Sequence, residues 1–294
     1  MSRAQRFSLK PAIAAEQREF FTRDGIRVSY YVDDTQTGCP LLLLHSINAA
    51  PSAMEVRPLF DHYRQERPVY AIELPGFGFS QRGNLNYTPA LFSAVIAEFV
   101  GSVLTQAPDV VALSLSAEFA ARARVDFDMA CRSLVLISPT GMGRREPPDP
   151  AVGERVVGVL RKPFLGASLW RALTSKPSIR WFLGQAFYGK TPKGMIEYAY
   201  ETARQPDAQF APFAFLGMGL FSRNALDLLY ARLDVPALVV YDRDPNIDFE
   251  QLPELQRLQP SIRALRIAPS RGLPHWELPE KTFDALDQFW SGLS

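Results

Sequence analysis

Residues 109–127 read DVVALSLSAEFAARARVDF. Val110, Val111 and Leu113 suit a short buried strand, and Ala117 to Val125 suit a helix, with Phe119 and Ala120 spaced against Ala123 on one face. Ser114 falls where strand gives way to helix. A turn that sharp pushes the serine into a strained backbone conformation, exposes its hydroxyl, and needs small residues two positions to either side. Ala112 and Ser116 fill those places. Short strings of this kind occur by chance in many strands, so the meaning of this one depends on its surroundings.

Working outward, strands and helices alternate. Phe20–Thr22 and Ile26–Val32 flank Asp24-Gly25, a good hairpin turn. Pro40–His45 is a wholly apolar run that reads as a buried strand, and Pro51–Gln65 fits a helix with Met54, Val56, Leu59 and Phe60 as its apolar positions. Val69–Leu74 is a further strand ending at Pro75-Gly76. Thr88 can cap a helix that opens with Pro89 and runs to about Leu104, and Ser133–Ile137 is the strand after the elbow helix. Such alternation argues for a parallel sheet covered on both faces.

The rhythm breaks after Thr140-Gly141. From about Arg144 to Arg232 the patterns are helical, rich in aromatic residues, and punctuated by Pro147-Pro148 and Pro177. Most of those aromatics are expected to form the segment's own core, with some left to wall an apolar pocket. The rhythm then resumes with strands at Pro236–Tyr241 and Ile262–Ile267 and helices at Phe249–Leu258 and Glu280–Leu293. The expected organisation is an N-terminal arm at 1–17, an α/β core at 18–143 and 233–294, and a helical lid at 144–232.

Bulk properties exclude several classes. With 32 basic and 31 acidic residues the balance gives no electrostatic case for nucleic acid or an anionic membrane surface. Cys39 and Cys131 are too few for a disulfide framework or a four-cysteine zinc site, and a cytoplasmic location is the expectation. The N-terminal stretch lacks the apolar run of a signal peptide, and no apolar stretch approaches the ~20 residues of a membrane span. Gly76-Phe77-Gly78 follows a strand, but Gln81 stands where a dinucleotide fingerprint needs its third glycine. No phosphate loop or H-E-x-x-H zinc motif is present, and no cofactor or metal is expected.

The chain resembles the α/β-hydrolase superfamily, in its lidded serine hydrolase branch, from about Glu19 to Phe289. The marks are LLLLHSINAA at 41–50, ELPGFGFS at 73–80, ALSLSAEF at 112–119, SPTG at 138–141, VPALVVYDRDP at 235–245 and GLPHWELPE at 272–280. Each falls in the expected strand or loop and in the expected order. The resemblance implies an α/β-hydrolase fold: a mostly parallel central sheet flanked by helices, with a helical lid inserted before the late strands. It also implies a nucleophile, an acid and a base in the order Ser114, Asp244, His275. A serine hydroxyl needs a neighbouring imidazole to take its proton, and the imidazole needs a carboxylate to hold its tautomer. The plain alternative for Asp244 is a loop aspartate beside Pro245 making a turn, and Asp242 and Asp248 are also nearby.

Two departures bear on that triad. Where relatives carry G-x-S-x-G, Ala112 and Ser116 replace the glycines. Where relatives read G-H-x-P-x-x-E-x-P, alignment through Pro274, Glu277 and Pro279 puts Gly272 in the histidine's column, with His275 three residues later, where many relatives have a second, non-catalytic histidine. Either the loop is rearranged so that His275 reaches Ser114, or the base is missing. His62 reads as a surface residue and His45 belongs to the loop after the third strand, so His275 is the candidate base. By position in the family, the backbone N–H groups of Ile47 and Leu115 form the oxyanion hole, Asn48 holds the loop, and Ser116 bonds to backbone.

The function these features imply is a cofactor-free serine hydrolase acting through an acyl-enzyme on a carboxylic ester of a small hydrophobic substrate. Hydrolysis of an activated carbon–carbon bond comes next, and perhydrolase or acyl-transfer chemistry uses the same triad. The alternative is a non-catalytic ligand-binding or non-hydrolytic member of the fold that lacks a working base. Oligomeric state is not legible.

Overall fold

The computed structural model describes residues 9–162 and 164–293. Eight strands form one sheet: β1 (Glu16–Phe21), β2 (Arg27–Asp33), β3 (Leu41–Leu44), β4 (Val69–Ile72), β5 (Asp109–Leu113), β6 (Ser133–Ile137), β7 (Ala237–Tyr241) and β8 (Ile262–Arg266). Their order across the sheet is β1-β2-β4-β3-β5-β6-β7-β8. The β1–β2 and β2–β4 pairings are antiparallel and all others parallel. Gly25, at φ +77°, makes the β1–β2 turn that a side chain would strain.

The apolar runs show why the parallel strands sit in the middle. In β3, Leu42 and Leu44 join the core on one face of the sheet, and Leu41 and Leu43 the core on the other. Val110 and Ala112 of β5 divide from Val111 and Leu113 in the same way. A strand buried on both faces has no use for a polar face, so the period-two alternation disappears from its sequence. One face is covered by α2 (Pro89–Val103), α3 (Ser116–Phe127) and α10 (Leu252–Leu258), the other by α1 (Arg57–Tyr63) and α12 (Pro279–Ser291). Thr88 caps α2 by accepting from the Leu91 N–H at 3.1 Å. The helix expected over 51–65 is instead a 3-10 turn at Ala53–Val56 followed by α1, with Pro58 in the first turn of α1.

Residues 1–8 of the expected arm lie outside the described residues. Ala12 and Ile13 are buried, and the Ala12 N–H donates to the Tyr31 hydroxyl at 2.9 Å. Between β6 and β7 the chain forms α4 (Pro150–Leu160), α5 (Leu165–Leu173), α6 (Lys176–Gln185), α7 (Lys193–Ala203), α8 (Phe210–Leu216) and α9 (Ala225–Leu228). Leu160, Trp170, Ala203 and Phe213 make a small core of their own within this insertion. Trp181, Phe182 and Tyr188 are exposed, so the aromatic content is divided between that core and the surface.

Candidate active site

Ser114 follows the last residue of β5 and precedes α3, with φ at +51°. A non-glycine residue held there carries strain of about 1–3 kcal/mol, which surrounding structure must hold in place. The Ser114 N–H donates to Ile137 O at 2.9 Å, fixing the turn to β6. Ala112 and Ser116 are both fully buried, the tight flanks that the sequence led us to expect. Ser116 Oγ donates to His45 O at 2.5 Å, which ties the elbow to the loop after β3.

That loop is held from below by Glu55, which sequence reasoning missed. The Glu55 carboxylate accepts from the Ser46 N–H at 2.8 Å and from Asn48 Nδ2 at 2.9 Å. Asn48 Oδ1 in turn accepts from the Ala50 N–H, the loop-holding role expected of it. Burial pushes the Glu55 carboxyl upward, against these hydrogen bonds. The one signal in the sequence is a carboxylate inside an otherwise apolar turn, AMEV. His45 spends both ring nitrogens on backbone: Nδ1 donates to Ser46 O at 2.6 Å and Nε2 accepts from the Leu74 N–H at 3.0 Å. Burial pushes its pKa down to about 4, so the ring stays neutral. The backbone N–H groups of Ile47 and Leu115 donate no hydrogen bond among the described residues, although both residues are buried. Buried N–H groups without a partner are rare and mark a place for an acceptor.

Asp244 lies past the end of β7 with one oxygen, Oδ1, accepting from the Asn246 N–H at 2.8 Å. Its other oxygen faces Gly272: a Cβ built at 272 would lie 2.9 Å from Asp244 Oδ2. Burial raises the carboxyl, and Arg271 pulls it the other way. Asp242 is occupied elsewhere, accepting from Arg266 Nε at 2.7 Å and the Ser270 N–H at 2.9 Å.

His275 makes no hydrogen bond to Ser114. Pro274 opens the short helix α11 (Pro274–Glu277) directly after the loop, and the imidazole turns toward the 3-10 turn before α1. Its Nε2 donates to Glu55 O at 2.8 Å, beside the Trp276 Nε1 hydrogen bond to the same oxygen at 2.7 Å. Nδ1 is buried with no hydrogen-bond partner, so neither nitrogen is bonded to Ser114 or Asp244. The ring is fully buried, which pushes its pKa down to about 4. The expected triad is thus divided: Asp244 stands beside the glycine of the usual histidine column, and the late histidine serves as a bolt between α11 and the turn that carries Glu55. His62 stacks on Phe283 at 3.9 Å in the last turn of α1.

A cavity of about 720 Å³ opens between the β6 exit, the β7 exit and the end of the insertion, with Thr140, Phe221, Leu226 and Ile247 among its walls. Glu118, in the first turn of α3, lies at its edge, accepting from Thr140 Oγ1 and from the Ser222 N–H.

The sheet order, the elbow at its centre and the helical insertion after β6 define a class, the α/β-hydrolase fold. The sequence profile of the alpha/beta hydrolase family matches residues 41–285, and this chain belongs to that family. Among solved structures it is similar to the serine hydrolase of carbazole degradation, the CarC enzyme, with a TM-score of 0.77 at 18% identity, covering 95% of this chain and 99% of that one. It is similar to E-2-(acetamidomethylene)succinate hydrolase, with a TM-score of 0.67 at 16% identity over 94% and 99% of the two chains. It is also similar to the esterase EaEST from Exiguobacterium antarcticum, with a TM-score of 0.72 at 14% identity over 92% and 98%. At such identities the likeness is one of fold. No curated protein sequence matches the chain.

Proposed function

We propose that this protein is a cofactor-free serine hydrolase for activated esters of small hydrophobic acids, aryl esters or thioesters, with Ser114 as nucleophile. The observation that carries the reading is the serine at φ +51° followed by Leu115, with Ile47 in the loop that Ser116 ties to the elbow; both residues are buried, and neither N–H has a partner among the described residues. Strain of that kind persists at functional turns, and oxyanion donors aimed at developing charge remain effective when the rest of a triad is gone, at roughly 10³–10⁴-fold over water. Ser114 Oγ attacks the carbonyl carbon and its proton passes to water. The oxyanion rests on the Ile47 and Leu115 amides. Collapse expels the leaving group as an anion, and water then cleaves the acyl-serine to the free acid and Ser114.

The absence of an imidazole at 272 sets the substrate class. Gly272 and the buried His275 leave no imidazole among the described residues to protonate a departing atom, so the reading favours a leaving group that is stable as an anion, as phenolate and thiolate are and as alkoxide and amide nitrogen are not. Cleavage of a carbon–carbon bond is disfavoured on the same ground.

A second reading, a binding protein without turnover, is favoured by one observation: His275 is committed to Glu55 O. A fluorophosphonate probe separates the two. Labelling of the native chain that disappears in Ser114→Ala and survives in His275→Gln supports the hydrolase. Failure to label at high probe concentration, in a protein that still binds a 4-nitrophenyl ester, establishes the binding reading instead.

A further inference from the structure

The chain as a whole is almost neutral, yet residues 150–185 of the insertion carry Arg155, Arg161, Lys162, Arg171, Lys176 and Arg180 against the single acid Glu154. Part of that charge gathers around a cleft of about 320 Å³ between the end of α4, α5, the end of α7 and the start of α8. Arg161, Lys162, Arg171 and Arg204 line it, and no aspartate or glutamate does among the described residues. None of the four takes part in an ion pair among the described residues, while other cations of the chain, such as Arg67 and Arg124, do. Arg204 lies 4.8 Å from the Tyr200 ring, gives one N–H to Thr174 O at 3.4 Å, and keeps its Nε buried with no partner. The wall is aromatic: Trp170 and Phe213 are buried there, and the Arg161 guanidinium lies 5.9 Å from the Phe210 ring. Phe164, 87% exposed, stands at the rim.

Like charges held around an apolar wall repel one another, and an unpaired buried N–H lacks the acceptor it would have in water. An anion in the cleft relieves the repulsion, and the aromatic wall gains by covering an apolar chain. The volume is at the small end of ligand pockets, about 300–1,000 Å³, which suits one short chain rather than a two-tailed lipid. We infer that this cleft, separate from Ser114, is a binding site for a single-chain anionic amphiphile, a carboxylate or phosphate monoester carrying a short aliphatic or aromatic tail.

Calorimetric titration of the full chain with decanoate, decyl phosphate, decyltrimethylammonium and inorganic phosphate tests it. The expected result is binding of the two anionic amphiphiles at least about tenfold tighter than either the cationic amphiphile or bare phosphate. Arg161→Glu with Arg171→Glu, both on the surface, is expected to remove that preference. Ala167→Trp, which fills the cleft, abolishes binding, and Ser114→Trp leaves it intact. Equal affinity for the cationic and anionic amphiphiles overturns the proposal, as does loss of decanoate binding in Ser114→Trp, which would put the ligand at the elbow. Sedimentation with phosphatidylglycerol vesicles without any affinity for decanoate overturns it too, since the surface would then be reading a bilayer.

Discussion

Gly272 stands against the carboxylate of Asp244, 2.9 Å separating Oδ2 from the place a Cβ would occupy. The carboxylate therefore stands in the space a side chain at 272 would enter, and it must give way slightly before it can accept a hydrogen bond from one. Restoring one is the direct test. Gly272→His is expected to raise hydrolysis of 4-nitrophenyl butyrate by roughly a hundredfold, the usual gain from a positioned general base. The gain must vanish in the Ser114→Ala background; if it persists there, the new imidazole is acting on water alone.

How much of this was legible beforehand follows from where the chemistry resides. Strands such as LLLL at 41–44 and LVLI at 134–137 declare themselves because burial on both faces leaves no polar residue. The elbow was readable from the small residues around Ser114, and Gly272 in the histidine column was visible in the spacing of Pro274, Glu277 and Pro279. The direction of the His275 ring was not, because it depends on Glu55 O, a backbone atom 220 residues away in sequence. Glu55 and Glu73 escaped for a related reason: each takes a backbone N–H, of Ser46 and of Phe79, and a backbone donor leaves no residue type in the sequence to read.

The buried imidazole makes stability sensitive to acid. His275 has an ordinary value of 6.5 and a folded value of about 4, so it stays neutral in the folded state while the unfolded chain takes up a proton. Its contribution is present above pH 6.5 and is lost as pH falls toward 4, on the order of 3 kcal/mol in full. His275→Gln keeps an N–H for Glu55 O. It is expected to lose less stability than the native chain between pH 7 and pH 4.5, read from urea midpoints at each pH. Parallel losses would mean that the ring is not buried neutral.

Glu73 works in the opposite direction. Its carboxylate, fully buried, accepts from the Phe79 N–H at 2.5 Å and leaves Oε1 without a partner, and burial pushes it up to about 7. A raised acid contributes its stability below its ordinary value of 4.5 and loses it as pH rises through 7. Glu73→Gln is therefore expected to melt several degrees above the native chain at pH 8 and close to it at pH 5. A constant difference at the two pH values would rule the account out.

Relief of strain at the elbow gives a third stability test. At φ +51° glycine has no steric penalty and alanine has the same one as serine. Ser114→Gly is expected to exceed Ser114→Ala in unfolding free energy by about 1 kcal/mol, the left-handed penalty less glycine's greater freedom when unfolded. Equal denaturant midpoints for the two variants would place the serine in an unstrained backbone.

Arg82, in the loop after β4, reaches across to α7, where its guanidinium holds Thr202 through Oγ1 at 3.0 Å and O at 3.3 Å while also binding Gly76 O and Gly78 O. One end of the insertion is thereby riveted to the sheet's own loop. If the insertion swings to admit a substrate, α7 is the axle and α4 to α6 are the door, and amide exchange should be slow in the first and quick in the others.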